Sequence, residues 1–351
     1  MYRACFVLIL FSLFGSIAGR VPCAQPIWAI DLDKTYHFQV FGVKKRENSW
    51  VSLTNQQGVE FISPEVLAVY QVSEVDEPQA LRQKDPSGGS GRYLLHVSIL
   101  DVTQKTELKS FQFVTSGWLP SRVFPTHDGR FLIRTGEIIR SFSANFDQVA
   151  IAHFPHKKTA DLEWYEVSVS FSGKRLYIHY TASDSSRLVG GTAVLDADSL
   201  HPVEGLPQGD IPSGKVAAGF NDAAKDHSCP SGLARITPDL SVGYGCKELK
   251  LFSYDGGLLW DIPMNEQVAS VRGAGALLAA SIQHPHLNSL DPDIGPEPLQ
   301  IALYDLATKS EKCSITTKIK SVPRIWSTIF YAVSSGEVAV IQGNILGVYR
   351  P

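Results

Sequence analysis

The densest run of chemistry-bearing side chains is residues 284–298, HPHLNSLDPDIGPEP, which places His284, His286, Asp291, Asp293 and Glu297 on one stretch. Imidazoles converging on a point would suit a zinc-like ion and carboxylates a calcium ion. Pro285, Pro292 and Pro296 would stiffen the backbone that presents them. Asp-Pro-Asp lacks the calcium-loop consensus, so the expectation is a metal-free polar loop whose five side chains contact a ligand. Gly209 to Lys215, GDIPSGK, has the G-x-x-x-x-G-K spacing that cradles phosphates. Val216 stands where a magnesium-binding Ser or Thr is needed, however, and no strand-loop-helix context surrounds the motif. It reads as a connection. Nucleophilic catalysis finds no G-x-S-x-G elbow. None of Cys5, Cys23, Cys229, Cys246 and Cys313 sits in a C-x-x-C pair, so a zinc ribbon or thiol redox site lacks its ligands. His127, His153, His156, His179 and His227 read as turn or surface residues. Asp196, Asp198, Asp255 and Asp305 follow apolar runs, where carboxylates accept backbone hydrogen bonds and stabilise turns. They are not read as a catalytic pair, and neither a metal nor a cofactor is expected.

The elements that would carry these residues are strands. Helical periodicity is nearly absent, and short β-branched and aromatic runs alternate with Gly, Asp, Asn and Pro. Val66 to Val72, Leu94 to Asp101, Phe131 to Thr135, Arg175 to Thr181, Gln300 to Asp305 and Glu337 to Ile341 are among the candidates. Their order repeats. A first tight turn reads FISPE (61–65), FPTHDGR (124–130), SFSGKR (170–175), ITPDLS (236–241), VRGAGA (271–276) and VSSGE (333–337). A third strand follows each in turn: HVSILDVTQ, EIIRSFSANF, GTAVLDADS, LKLFSYDGG, QIALYDLAT and ILGVYRP. Six turns precede six third strands in strict alternation, at about 54 residues per unit, somewhat above one four-stranded blade with its loops.

Three segments carry a resemblance. LFSYDGGLLWDIP (251–263) is similar to a quinoprotein repeat, and ALYDLATKSEKCSI (302–315) and AVLDADSLHPVEGL (193–206) are similar to degenerate bacterial propeller repeats. Trp260-Asp261 resembles the WD dipeptide on a fourth strand. The chain thus resembles the quinoprotein-like and WD-repeat-like β-propellers, which implies an all-β, closed propeller, with six four-stranded blades expected and seven possible. A two-sheet sandwich is the rival architecture, but it does not explain the repeated order. Quinoprotein dehydrogenases are larger, eight-bladed and use adjacent cysteines, so the resemblance implies fold and not a quinone cofactor. The last repeat stops at Pro351 after its third strand. Ile27 to Asp31 or Thr35 to Val43 is expected to supply the missing outer strand and close the ring.

The N-terminus reads as a secretory signal. Arg3 precedes the apolar run Cys5 to Phe14, and Gly15, Ser16, Ala18 and Gly19 follow. Residues 1–24 are assigned to the signal, with cleavage after Ala18 or Ala24, and residues 25–351 to one propeller domain. The run is too short to cross a bilayer, and no other segment approaches that length. The expected location is secreted or periplasmic, and the expected state a monomer. With 32 basic residues against 35 acidic ones, the chain is too balanced for bulk-charge binding of nucleic acid.

Antiparallel alternation puts first-to-second and third-to-fourth connections on one face, and all of these are short. Residues 73–92, 183–191, 205–231 and 284–298 gather on the other face, where long loops on a rigid scaffold carry binding. In this register Cys229 and Cys246 reach that same face and are expected to form a disulfide, with Cys313 free unless Cys23 survives cleavage. The function expected is a non-catalytic exported propeller that binds a protein, peptide or glycan through its loop-bearing face. The alternative is an envelope hydrolase or lyase with its site at the channel mouth.

Overall fold

A computed structural model describes residues 21–36, 45–46, 49–50, 57–74, 93–115, 121–153, 161–184, 187–204, 232–245, 247–264, 266–283, 298–318, 330–342 and 344–351. In chain order it begins with β1 (Trp28–Asp31), the one-turn α1 (Leu32–Tyr36), and a hairpin of β2 (Lys45–Arg46) with β3 (Ser49–Trp50). Six antiparallel blades make up the rest. The first contains β4 (Gln57–Ser63), β5 (Val66–Glu74), β6 (Tyr93–Asp101) and β7 (Thr106–Thr115). The second contains β8 (Ser121–Pro125), β9 (Phe131–Thr135), β10 (Ile138–Phe142) and β11 (Gln148–His153). The third has β12 (Asp161–Val169), β13 (Arg175–Asp184) and β14 (Arg187–Asp196), and the fourth has β15 (Gly232–Thr237), β16 (Leu240–Tyr244), β17 (Glu248–Ser253) and β18 (Leu258–Pro263). The fifth comprises β19 (Gln267–Ala274), β20 (Leu277–Gln283), β21 (Pro298–Asp305) and β22 (Ser310–Lys318). In the sixth, β23 (Phe330–Val333), β24 (Val338–Gln342) and β25 (Ile345–Tyr349) are completed by β1 in the order β1-β25-β24-β23.

The fold is therefore a six-bladed β-propeller. All six first turns and all six third strands read from the sequence fall where the repeat places them. First strands of neighbouring blades line the centre, β23 lying against β4 and β4 against β8, so the ring closes without a seventh blade. Blade three differs from the expected four strands. Its outer position is filled by one bridge, Leu195 to Pro202, with Val203 N–H donating to Val194 O at 3.0 Å. Proline cannot donate to a ladder and so belongs on such an edge.

Burial explains the strand compositions. β9 and β10 are buried at every residue, whereas outer strands β11 and β18 are mostly exposed. Apolar clusters fill the seams between blades. Phe131, Ile133 and Phe142 of blade two meet Val97 and Ile99 of blade one, and Leu278 and Tyr304 of blade five meet Val242 and Leu251 of blade four. Each large side chain fully buried there contributes roughly 1.5–3 kcal/mol.

The third-to-fourth turns repeat one device. Oδ1 of Asp101 accepts from Gln104 N–H at 2.7 Å, and Asp196 Oδ1 accepts from Ser199 N–H at 3.0 Å. Asp305 Oδ1 accepts from Ala307 N–H at 2.8 Å, and Ser143 Oγ takes the corresponding place in blade two. The strand-end carboxylates thus act as turn residues, as their sequence position implies.

Closure uses the N-terminal segment twice. β1 pairs antiparallel with β25, Trp28 opposite Val348 and Asp31 opposite Ile345. Just before it, Cys23 N–H donates to Ser314 O and Ser314 N–H to Val21 O, both at 2.8 Å, so residues 21–23 run along the edge of β22. Cys23 and Cys313 form a disulfide across 290 residues of sequence. Cys313 was expected free only if Cys23 was lost; with Cys23 present, the two pair.

Two predictions follow from the turns and the clasp. Hydrogen bonds from backbone N–H groups hold the carboxyls of Asp196 and Asp305 below the ordinary 3.8. A carboxyl whose folded pKa is depressed stabilises the fold fully above its unfolded pKa and loses that contribution as pH falls through the folded value. Thermal melts should therefore show this contribution intact at pH 5 to 7 and lost below about pH 4, and Asp196→Asn should flatten the acid limb. Replacing Cys23 and Cys313 together by Ser should lower the guanidinium midpoint, with a loss of unfolding free energy of up to about 5 kcal/mol for so long a loop. The β circular dichroism spectrum should be unchanged.

Candidate functional site

The loop residues singled out by composition, His284, His286, Asp291, Asp293 and Glu297, lie outside the described residues, as do Cys229, Cys246 and the Gly209 to Lys215 segment. The strands flanking 284–297, β20 and β21, end on the face opposite the tight turns. His127 sits in the blade-two first turn, with Nδ1 2.9 Å from Asp128 and Nε2 3.2 Å from Asp198, and His179 Nδ1 is 2.9 Å from Thr192 Oγ1. Among the described residues no three His, Cys, Asp or Glu side chains gather as metal ligands.

A charged constellation lies instead among the first strands, at the centre of the ring. Glu60 on β4 is 7% exposed. Its Oε1 accepts from Arg122 Nη2 on β8 at 3.2 Å, and its Oε2 accepts from Arg272 Nη1 on β19 at 2.5 Å. Three blades thus meet at one carboxylate. Each of these residues stands two or three positions before the end of its first strand, so the tight turns set them at one level. The Arg122 guanidinium lies over the Phe124 ring at 5.2 Å, and that of Arg272 over Tyr331 at 5.6 Å. Tyr331 in turn places its hydroxyl 3.0 Å from Ser270 Oγ.

Glycine makes room for the tyrosines beside it. Gly58 on β4 is the cross-strand partner of Tyr70 on β5, and a Cβ at Gly58 would lie 2.2 Å from the Tyr70 ring. Blade four repeats the arrangement, with Gly232 opposite Tyr244 and a Cβ position 2.6 Å from the hydroxyl. In both pairs the ring folds over the first strand because no side chain is there.

Electrostatics fix the protonation states. Burial pushes the Tyr331 phenol up to about 12, and burial together with the Glu60 charge raises Tyr70 further. Both remain hydrogen-bond donors at neutral pH. For Arg272 burial acts against the charge, but the adjacent Glu60 more than offsets it and raises the pKa. With both oxygens accepting from guanidinium groups, Glu60 anchors the two arginines.

Sequence reading missed this site because its members are single charges on separate strands. The signal was available nonetheless. Aligning the repeats on their first turns brings Glu60, Arg122 and Arg272 to nearly the same register, each the single charge in its first strand. A second cationic feature lies on the tight-turn face, where Arg235 stacks on Phe171 of blade three at 4.7 Å and on Tyr254 at 4.9 Å.

No protein-family model matches the chain, and no curated sequence matches it significantly. Among solved structures, the Neurospora crassa Pan2 WD40 domain is similar at 11% identity and TM-score 0.41, covering 94% of each chain. KlHsv2 with its loop 6CD replaced by a Gly-Ser linker is similar at 10% identity and TM-score 0.42, covering 82% of this chain and 90% of that one. A Bacteroides caccae protein of unknown function gives 8% identity and TM-score 0.33, with 80% and 84% covered. The propeller assignment rests on the strand order of the chain itself.

Gly58→Ala should cost about 1–3 kcal/mol, because the new methyl meets the Tyr70 ring. In urea denaturation the Gly58→Ala/Tyr70→Ala pair should destabilise by less than the sum of the two single changes.

Proposed function

We propose that the protein is an exported, non-catalytic propeller that binds a protein, peptide or glycan through the face opposite its tight turns. One observation carries this reading. Every first-to-second and third-to-fourth connection among the described residues is a tight turn on one face. The strands that flank 75–92, 205–231 and 284–297 all end on the other, whereas the long loop expected over 183–191 is not one, since β13 and β14 pair as far as Asp184 opposite Arg187. A rigid ring that keeps its variable backbone on one side has the form of a binding scaffold. No helix of the described residues is long and apolar enough to cross a membrane.

Export is supported by the signal-like N-terminus and by the disulfide, which persists in oxidising compartments. Of the two cleavage sites open in the sequence, we favour the one after Ala18. Cleavage after Ala24 would remove the Val21 and Cys23 contacts with β22. The mature chain would then hold four cysteines. With Cys23 and Cys313 joined, Cys229 and Cys246 remain to pair with each other.

N-terminal sequencing of the exported protein should begin at Gly19. Non-reducing peptide maps should show Cys23 with Cys313 and Cys229 with Cys246, and an alkylated, free Cys229 would refute the second pair. Shortening 284–298 to a tight turn should weaken capture of the native partner without unfolding the ring, whereas substitutions on the tight-turn face should leave it unchanged. The reverse pattern would mean that the working face is the other one.

A further inference from the structure

Two guanidinium groups are fixed against a single carboxylate at the ring centre, and this imbalance has chemical content. Each arginine carries five N–H donors, yet Arg122 and Arg272 each direct one hydrogen bond to Glu60, and Arg122 a further one to the Tyr70 hydroxyl. Their side chains are 46% and 34% exposed, against 9% for that of Glu60. The carboxylate is thus covered while the two arginine side chains stay partly open to solvent. Among the described residues, Glu60 is the only acid paired with either arginine, which leaves one positive charge over. A buried Arg–Glu–Arg triad can be purely structural, but here both arginine side chains stay partly open to solvent.

Pre-organisation strengthens the point. Phe124 and Tyr331 support the two guanidinium planes, and Glu60 holds their positions, so little side-chain freedom remains to be lost on binding. The Tyr331 and Ser270 hydroxyls, 3.0 Å apart beside Arg272, bond to each other and leave one O–H between them to donate outward. A planar fork offering parallel N–H groups matches the paired oxygens of a carboxylate or phosphate.

We propose that the central channel at Glu60, Arg122, Arg272 and Tyr331 is a binding site for an oxyanion, a carboxylate or phosphate group that takes the guanidinium donors Glu60 leaves unused. The site is built from first strands and does not depend on the loop-bearing face, so the variant with 284–298 shortened should retain it.

The test titrates the processed full-length protein with malonate and, separately, with inorganic phosphate at constant ionic strength. Calorimetric heats and melting temperature are the readouts. Saturable binding of either anion is expected, with the tighter of the two naming the oxyanion class. Arg122→Gln should weaken it about tenfold or more, the scale of a charge-assisted hydrogen bond. Glu60→Gln should tighten it, since the competing carboxylate is gone, and Lys174→Gln, exposed on the tight-turn face, should leave it unchanged. Should Glu60→Gln fail to fold, Arg122→Lys decides, because it keeps the charge and loses the fork. Weaker binding in that variant supports the site, and unchanged binding overturns it. Absence of saturable binding by both anions, or binding indifferent to Arg122→Gln, also overturns the proposal.

Discussion

A blade of this protein carries apolar side chains on both of its faces, and neither can leave water unless another blade covers it. Closure of the ring is thus the constraint on which every seam depends. Five blades obtain their sheets from consecutive sequence, but β23 to β25 end with an open edge, and β1 fills it. The pairing of Trp28 to Asp31 with Ile345 to Val348 buries Leu346 and Val348 against Val59 and Leu67 of the first blade. Losing β1 would expose a strand edge and open the seam next to it.

Much of this was legible in the sequence, for identifiable reasons. Turn residues punctuate strongly: Pro64 and Glu65, or Asp128 and Gly129, leave the chain few ways to continue. A continuous apolar run such as FLIRT or IIRSF announces a strand buried on both sides. Of the outer strands the sequence placed one through Trp260-Asp261, and β1 was one of two stretches able to serve as the last of them. Other features depend on distance. Glu60 and Arg272 are 212 positions apart and meet only because blades one and five bring their first strands to the same channel. The Cys23–Cys313 pair likewise required knowing which blade the N-terminal segment crosses. The thin outer edge of blade three reflects Pro202, whose missing N–H limits the ladder to one bridge.

The channel and the tight turns use charge differently. At the turns, aspartates face backbone N–H groups in water, where each such contact contributes little alone and regularity comes from repetition. In the channel, few charges are shared among blades in a confined space, and neighbouring tyrosines are held neutral by burial. Gly58 and Gly232 show the backbone yielding to this arrangement, since each gives up a side chain so that a phenol can lie across it. The rim shapes the ring, and the centre concentrates its polarity.

The antiparallel pairing of β1 with β25 also orders events in time. β1 is synthesised long before its partner, Ile345 to Tyr349, because the other blades lie between them in sequence. Until β25 is made, β1 has no ladder to join, and the first and sixth blades cannot meet. Contacts so distant in sequence form slowly, because the intervening chain must first be drawn together. Blades one to five can therefore assemble first, and the seam between the first and sixth blades is sealed last, when β25 has been made and β1 can pair with it.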